Sequence, residues 1–156
     1  MNTDHAEKAC DLFAEGRSCA QAVFAAFTDV TGLDEKTALL LSSSFGGGMG
    51  RMREVCGACS AIFMAAGLLY GYTSTDDIKE KSEHYARIQE LAARFREKHG
   101  TIICRELLKG LNVDSSPMPE ARTAKYYKVR PCIRFVNTAA EILDQYMKEN
   151  PPLNSK

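Results

Sequence analysis

From Val55 to Tyr70 apolar residues recur at helical spacing, at Val55, Ala58, Cys59, Ile62, Phe63, Ala66, Leu69 and Tyr70, and the positions between them are small or apolar too. A helix without a polar face has to be enclosed by other elements. At this length it is too short to cross a bilayer, so a protein interior is its place. Immediately before it runs Phe45-Gly46-Gly47-Gly48-Met49-Gly50-Arg51-Met52-Arg53-Glu54, a glycine loop that leads into Cys56 and Cys59. The rest of the chain therefore has to supply a wrapping for this helix, and a reason for the loop and cysteines at its start.

The wrapping is legible as a series of capped amphipathic segments. Thr3 to Ala14 carries a stripe of Ala6, Ala9, Cys10, Phe13 and Ala14 and stops at Gly16. Ser18 and Gln21 form a capping-box pattern that opens a second helix through Val23, Phe24 and Phe27, with Cys19 as its first helical residue. Asp34 caps a third, with Leu39, Leu40 and Leu41, which the glycines from Gly46 to Gly50 end. Gly57 and Gly67 in the central helix predict close approach by a neighbouring backbone or a ligand.

After it, Thr73-Ser74-Thr75 supplies the N-cap and Asp76-Asp77 favour the positive dipole end of a long helix to about His99, with Ile78, Tyr85, Ile88, Leu91, Ala92 and Phe95 inward. Thr101 is placed to cap a short helix with Cys104, Leu107 and Leu108. Leu111 to Glu120, with Pro117 and Pro119, reads as irregular. Pro131 begins a last helix, Cys132 to about Met147, burying Ile133, Val136, Ala140, Leu143 and Tyr146 or Met147. With no sustained alternation of period two, the fold class is all-α: one domain over 1–149, a bundle of about six or seven helices around a buried central helix, and a frayed tail over 150–156.

Lys plus Arg equals Asp plus Glu at 20 each, which removes any general attraction to nucleic acid or an anionic membrane. The polar start Met1-Asn2-Thr3-Asp4-His5 has no apolar segment behind it, so a cytoplasmic location is expected. In that compartment six cysteines point to metal binding or thiol chemistry more than to stapling. Four of them, Cys19, Cys56, Cys104 and Cys132, fall in or near the first turn of a predicted helix, where unpaired N–H groups favour thiolate and the anions thiolates ligate. Cys10 lacks such a setting and is read as packing.

Cys56 and Cys59, three residues apart, also suit a redox pair, though no strand precedes them as it does in a thioredoxin-like unit; the apolar flanks of Cys59 fit core packing. The glycines lack the strand and later acidic residue of a dinucleotide site and the Lys-Ser/Thr end of a phosphate loop. Gly46, Gly47, Gly48, Gly50 and Gly57 are instead assigned as amides that face sulfur. Arg51 and Arg53 flank the thiols, where they depress thiolate pKa values, recognise an anionic partner, or are simply solvated. His5, His84 and His99 are expected on exposed faces or helix ends.

These residues resemble the small redox-active bacterial proteins named for the C_GCAxxG_C_C cysteine pattern. The likeness rests on Gly16-Arg17-Ser18-Cys19-Ala20-Gln21-Ala22-Val23, Phe45-Gly46-Gly47-Gly48, Cys56-Gly57-Ala58-Cys59-Ser60-Ala61, Cys104-Arg105-Glu106-Leu107-Leu108 and Cys132. It spans nearly the whole chain, with Ala61 where the motif ends in glycine. It places the family cysteines on Cys19, Cys56, Cys104 and Cys132, the four that capping selects, and leaves Cys10 and Cys59 outside. A similar region occurs in split-Soret cytochromes beside an iron–sulfur cluster, while the haem-attachment motif Cys-x-x-Cys-His is lacking here.

The leading expectation is an iron–sulfur cluster on Cys19, Cys56, Cys104 and Cys132 for electron transfer to a redox partner or for redox sensing. The alternatives are a thiol–disulfide oxidoreductase that uses Cys56 and Cys59, and a structural zinc site on four cysteines. The apolar central helix fits a homodimer interface and a bundle interior equally well.

Overall fold

The computed structural model describes residues 4–153, and within them the fold is all-α. The helices are α1 (His5–Ala14), α2 (Cys19–Ala26), α3 (Thr28–Thr31), α4 (Glu35–Ser42), a helical turn α5 (Gly46–Met49), α6 (Gly57–Tyr70), α7 (Ile78–His99), α8 (Cys104–Leu107), α9 (Ala124–Val129) and α10 (Cys132–Glu149). The central apolar helix is α6, enclosed by α2, α7 and α10, while α1 packs across α2 and α10. Its first turns are fully buried from Gly57 to Ile62; its end emerges, with Leu68 exposed. Phe13, Phe24, Phe27, Phe95, Leu91 and Leu143 fill the core around it.

Capping sets most of the boundaries. The Ser18 hydroxyl accepts from the Gln21 N–H while the Gln21 side chain accepts from the Ser18 N–H, the full capping box. Asp4, Asp34 and Thr123 cap α1, α4 and α9 with the side-chain half alone, accepting from the N–H groups of Glu7, Thr37 and Tyr126. Gly100, in the left-handed conformation, ends α7. Thr3, the first residue of the expected first helix, and the last three residues of the expected tail lie outside the described residues. Tyr70 reaches the other part of that tail, donating to the carbonyl of Asn150 at 2.7 Å.

Several expectations are corrected. The cap of α7 is Asp77, which accepts from the Glu80 N–H; Ser74 instead accepts from the N–H groups of Asp76 and Asp77 and shapes the preceding turn. The opening turns of α7 stand clear of the bundle, so Ile78 and Tyr85 are exposed and His84 takes the inward position. His5 is buried too, its ring stacked on Phe27 and its two nitrogens donating to Asp144 (2.5 Å) and Asp29 (2.9 Å). His99 bonds Thr138 at 2.9 Å across the α7–α10 contact. A histidine at a helix end serves a core as well as a surface when carboxylates or hydroxyls on another helix meet it. Thr101 does not cap α8: its Oγ accepts from the Ile103 N–H and donates to Glu106. The short helix α9 arises within a stretch not assigned one.

Candidate functional site

The four helix starts singled out by capping meet. Cys19 is the first residue of α2, Cys56 the N-cap of α6, Cys104 the first residue of α8 and Cys132 the first residue of α10. All four line one cavity of about 320 Å³. Cys59 and Cys10 are not on its wall. Cys59 is fully buried behind Cys56, and the Cys10 thiol sits 3.8 Å from the Asn137 side-chain oxygen in the α1–α10 contact.

Glycine lets these segments approach. A Cβ on Gly57 would stand 2.8 Å from the Phe45 carbonyl and 3.0 Å from the Ala20 nitrogen; one on Gly46 would stand 2.7 Å from the Ser18 Cβ. Both glycines thus press α6 and the loop against the start of α2, beside Cys19. On Gly48 it would collide with the Cys104 Cβ at 2.6 Å and with the Glu54 nitrogen at 2.8 Å. Gly67 differs from the expectation placed on it: nothing lies within 4 Å of its missing Cβ.

The loop itself winds left-handed. Gly47, Gly48, Met49, Gly50, Arg51 and Arg53 all have φ between 61° and 73°. For the three non-glycine residues this costs roughly 1–2 kcal/mol each. The winding is held by N–H groups of Arg51, Arg53 and Glu54 that donate back to the carbonyls of Gly46, Gly47 and Gly48. Beyond it a short antiparallel bridge pairs Val55 with Ile103, with Cys56 N–H donating to Ile102 and Cys104 N–H to Glu54. That bridge sets Cys56 and Cys104 side by side on the wall. Gly46, Gly47, Gly48, Gly50 and Gly57 all border the cavity.

Charge in the cavity is lopsided. Arg51, Arg53, Arg122 and Arg130 line it, against Glu120 as the one carboxylate among the described residues. Arg53, buried, holds the Asp114 carbonyl at 2.9 Å and points a guanidinium N–H at the Cys104 sulfur at 3.8 Å. Arg122 stacks on Phe13 and Tyr126. Arg122 and Arg130 were not anticipated from the sequence; Arg130 stands two residues before Cys132 in Arg-Pro-Cys, a spacing that offered the one local signal.

The thiols divide into two pairs. The neighbouring Cys19 thiol, with the charges of Arg130, Arg122 and Arg53, outweighs burial and brings Cys132 down to about 7, while Cys132 and burial push Cys19 well up. The neighbouring Cys59 thiol, with the N–H groups of Ala58 and Cys59, lowers Cys56 against its burial. Burial drives Cys59 well up and raises Cys104, the latter partly offset by Arg53. Among the described residues, no three Cys, His, Asp or Glu side chains gather closely enough around one point to hold a single metal ion.

Helices wrapped around an apolar core, with four thiols from distant segments facing one arginine-lined cavity, define a small cysteine-centred helical protein. The chain belongs to the family described as "Putative redox-active protein (C_GCAxxG_C_C)", whose model matches residues 17–146. No curated protein and no solved structure matches the chain. None of the helices among the described residues is long and apolar enough to cross a membrane.

Proposed function

We propose that Cys19, Cys56, Cys104 and Cys132 hold an iron–sulfur cluster and that the protein passes or senses single electrons through it. The observation that carries this reading is the convergence of four thiols, from four separate helix starts, on one cavity with four arginines and one carboxylate. A dithiol needs two such thiols, and structural zinc ligands usually arrive in close Cys-x-x-Cys pairs, whereas these four come from separate segments. A thiolate-ligated cluster is an anion, which suits the four arginines of the lining.

When bound, such a cluster supplies one-electron chemistry at a potential set by its charge, hydrogen bonds and burial. The chain's part would be to keep the four ligands as thiolates, with Arg53 beside Cys104 and Arg130 ahead of Cys132 balancing their charge. The apolar body behind Cys56 closes that side to water. Of the glycines that border the cavity, Gly46, Gly47, Gly48, Gly50 and Gly57, it is Gly46, Gly48 and Gly57 that hold its walls close.

Anaerobic purification followed by iron and sulfide analysis and an absorption spectrum tests the proposal. Iron and sulfide are expected with wild type and with Cys10→Ser and Cys59→Ser, and are expected to be lost with Cys104→Ser or Cys132→Ser. A colourless, iron-free wild type after reconstitution would refute it.

A second reading, thiol–disulfide exchange, is favoured by the Cys19–Cys132 pairing. It moves the reactive pair away from Cys56 and Cys59, because Cys59 has no face on the cavity. The Cys132 thiolate would attack a disulfide substrate and release one thiolate; Cys19, once deprotonated, would attack the mixed disulfide and release the second. The substrate is reduced by two electrons and Cys19–Cys132 is oxidised to a disulfide. Turnover that survives Cys104→Ser and is lost in Cys19→Ser would select this reading.

A further inference from the structure

We propose that the mouth of the thiol cavity is a binding subsite for a small-molecule carboxylate, and that the chain's own Glu120 occupies it in this form. The Glu120 carboxylate sits between two guanidinium groups, bonded to Arg130 and 3.6 Å from Arg51. The Arg130 side chain is 7% exposed and that of Arg51 is 14%, whereas that of Glu120 is 42%. The cations are built into the wall, and the anion leans in from outside.

A buried guanidinium requires a counter-charge, because leaving it unpaired exposes the full cost of its desolvation. Both guanidinium groups converge on the same carboxylate oxygen, Oε1, so the position is one where two positive charges meet an anion. Glu120 gives up comparatively little hydration on entering, so exchange with a carboxylate from solution is close to balanced. In the exchanged state both cations are again paired, Arg51 keeping Asp114 throughout.

The side chain of Glu120 is suited to leave. Residues 111–123 form no helix, and every residue from Asp114 to Ala121 is exposed. The segment's own backbone bonds are local, from Val113 to Leu111 and from Thr123 to Ala121. It is tied down by arginines: Arg51 to Asp114 and Ser116, Arg53 to the Asp114 carbonyl, Arg130 to Glu120, and its own Arg122 to the carbonyls of Phe13 and Arg17. Replacing Glu120 by an external carboxylate would free the Glu120 side chain while Arg51, Arg53 and Arg122 keep the strap in place on either side.

The inference is independent of whether a cluster is bound, and is tested on the reduced, metal-free full chain. Cavity thiols are alkylated with anionic iodoacetate and with neutral iodoacetamide, and the rates are read at each cysteine by peptide mass. Both reagents lose iodide to the same thiolate, so the ratio of rates cancels thiolate content and reports the carboxylate preference. For Cys19 and Cys132, Glu120→Gln is expected to raise the iodoacetate-to-iodoacetamide ratio about threefold or more, and Arg51→Gln to lower it. Malonate is expected to slow iodoacetate alone. A ratio unchanged by Glu120→Gln, or malonate inhibition equal for both reagents, overturns the proposal. Iron content does not enter the measurement, so failure of the cluster reading and failure of this one are separable.

Discussion

Replacing Gly48 by alanine tests the claim that backbone approach at this glycine builds the cavity. Its φ is +73°, and the added Cβ would stand 2.6 Å from the Cys104 Cβ, 2.8 Å from the Glu54 nitrogen and 2.9 Å from the Arg53 Cα. The left-handed conformation costs an alanine roughly 1–2 kcal/mol. The contacts are with two backbone atoms and a Cβ, none of which can swing aside as a flexible tip would, so overpacking adds about 1–3 kcal/mol. The sum, about 2–5 kcal/mol, is a large fraction of the roughly 5–15 kcal/mol that holds a domain folded. For a chain of this size each kcal/mol moves the melting temperature about 2–4 °C, so a fall of about 4–20 °C is expected by differential scanning calorimetry. Gly67→Ala is the control: a helical position with open space around it, expected to gain about 0.5–1 kcal/mol. A Gly48→Ala protein that melts with wild type, or a Gly67→Ala protein that falls as far, refutes the reasoning.

Other consequences are equally measurable. Both ring nitrogens of His5 face carboxylate oxygens, which only accept, so both bonds are complete when the ring is protonated. Burial opposes that charge, but the hydrogen bonds and charges of Asp144 and Asp29 prevail and raise His5 above 6.5. The stability it adds is fully present below pH about 6.5 and lost as pH rises through the higher folded-state value, so His5→Gln should flatten the pH dependence of chemical denaturation across that window. Ser18→Ala removes half of the capping box and should cost about 1 kcal/mol in a urea titration. In the metal-free protein Cys19→Ala removes the leading cause of the Cys132 shift, so the alkylation midpoint of Cys132 should rise from about 7, and Cys19→Ser, which keeps a donor, should restore part of it.

The helices were legible because each signal was local. Ser18 with Gln21, Asp34 and Pro131 state their boundaries within four residues, and the apolar circumference of Gly57–Ile62 demands burial whatever surrounds it. The cysteines were legible for the same reason, since a helix start is written in the residues beside it. What stayed hidden depends on partners far along the chain. His5 is buried because Asp29 and Asp144 arrive from α3 and α10, and Ile78 is exposed because no helix extends far enough to cover it. Arg122 and Arg130 became part of the cavity only when α9 and α10 returned to the start of α2.

The glycine loop carries a further lesson about how a site is assembled. A loop meant only to offer amides could consist of glycine throughout, yet Met49, Arg51 and Arg53 are held left-handed at a cost glycine would avoid. Two of these three carry guanidinium groups that the winding sends into the cavity, Arg53 toward Cys104 and Arg51 toward the strap of residues 111–123. The glycines between them supply the tight curvature, and the bonds back to Gly46, Gly47 and Gly48 hold the strained residues in place. The Val55–Ile103 bridge then anchors the loop's end to the segment that bears Cys104. Glycine and arginine are therefore parts of one device: the first lets the walls close on the thiols, and the second brings positive charge to the cavity they line.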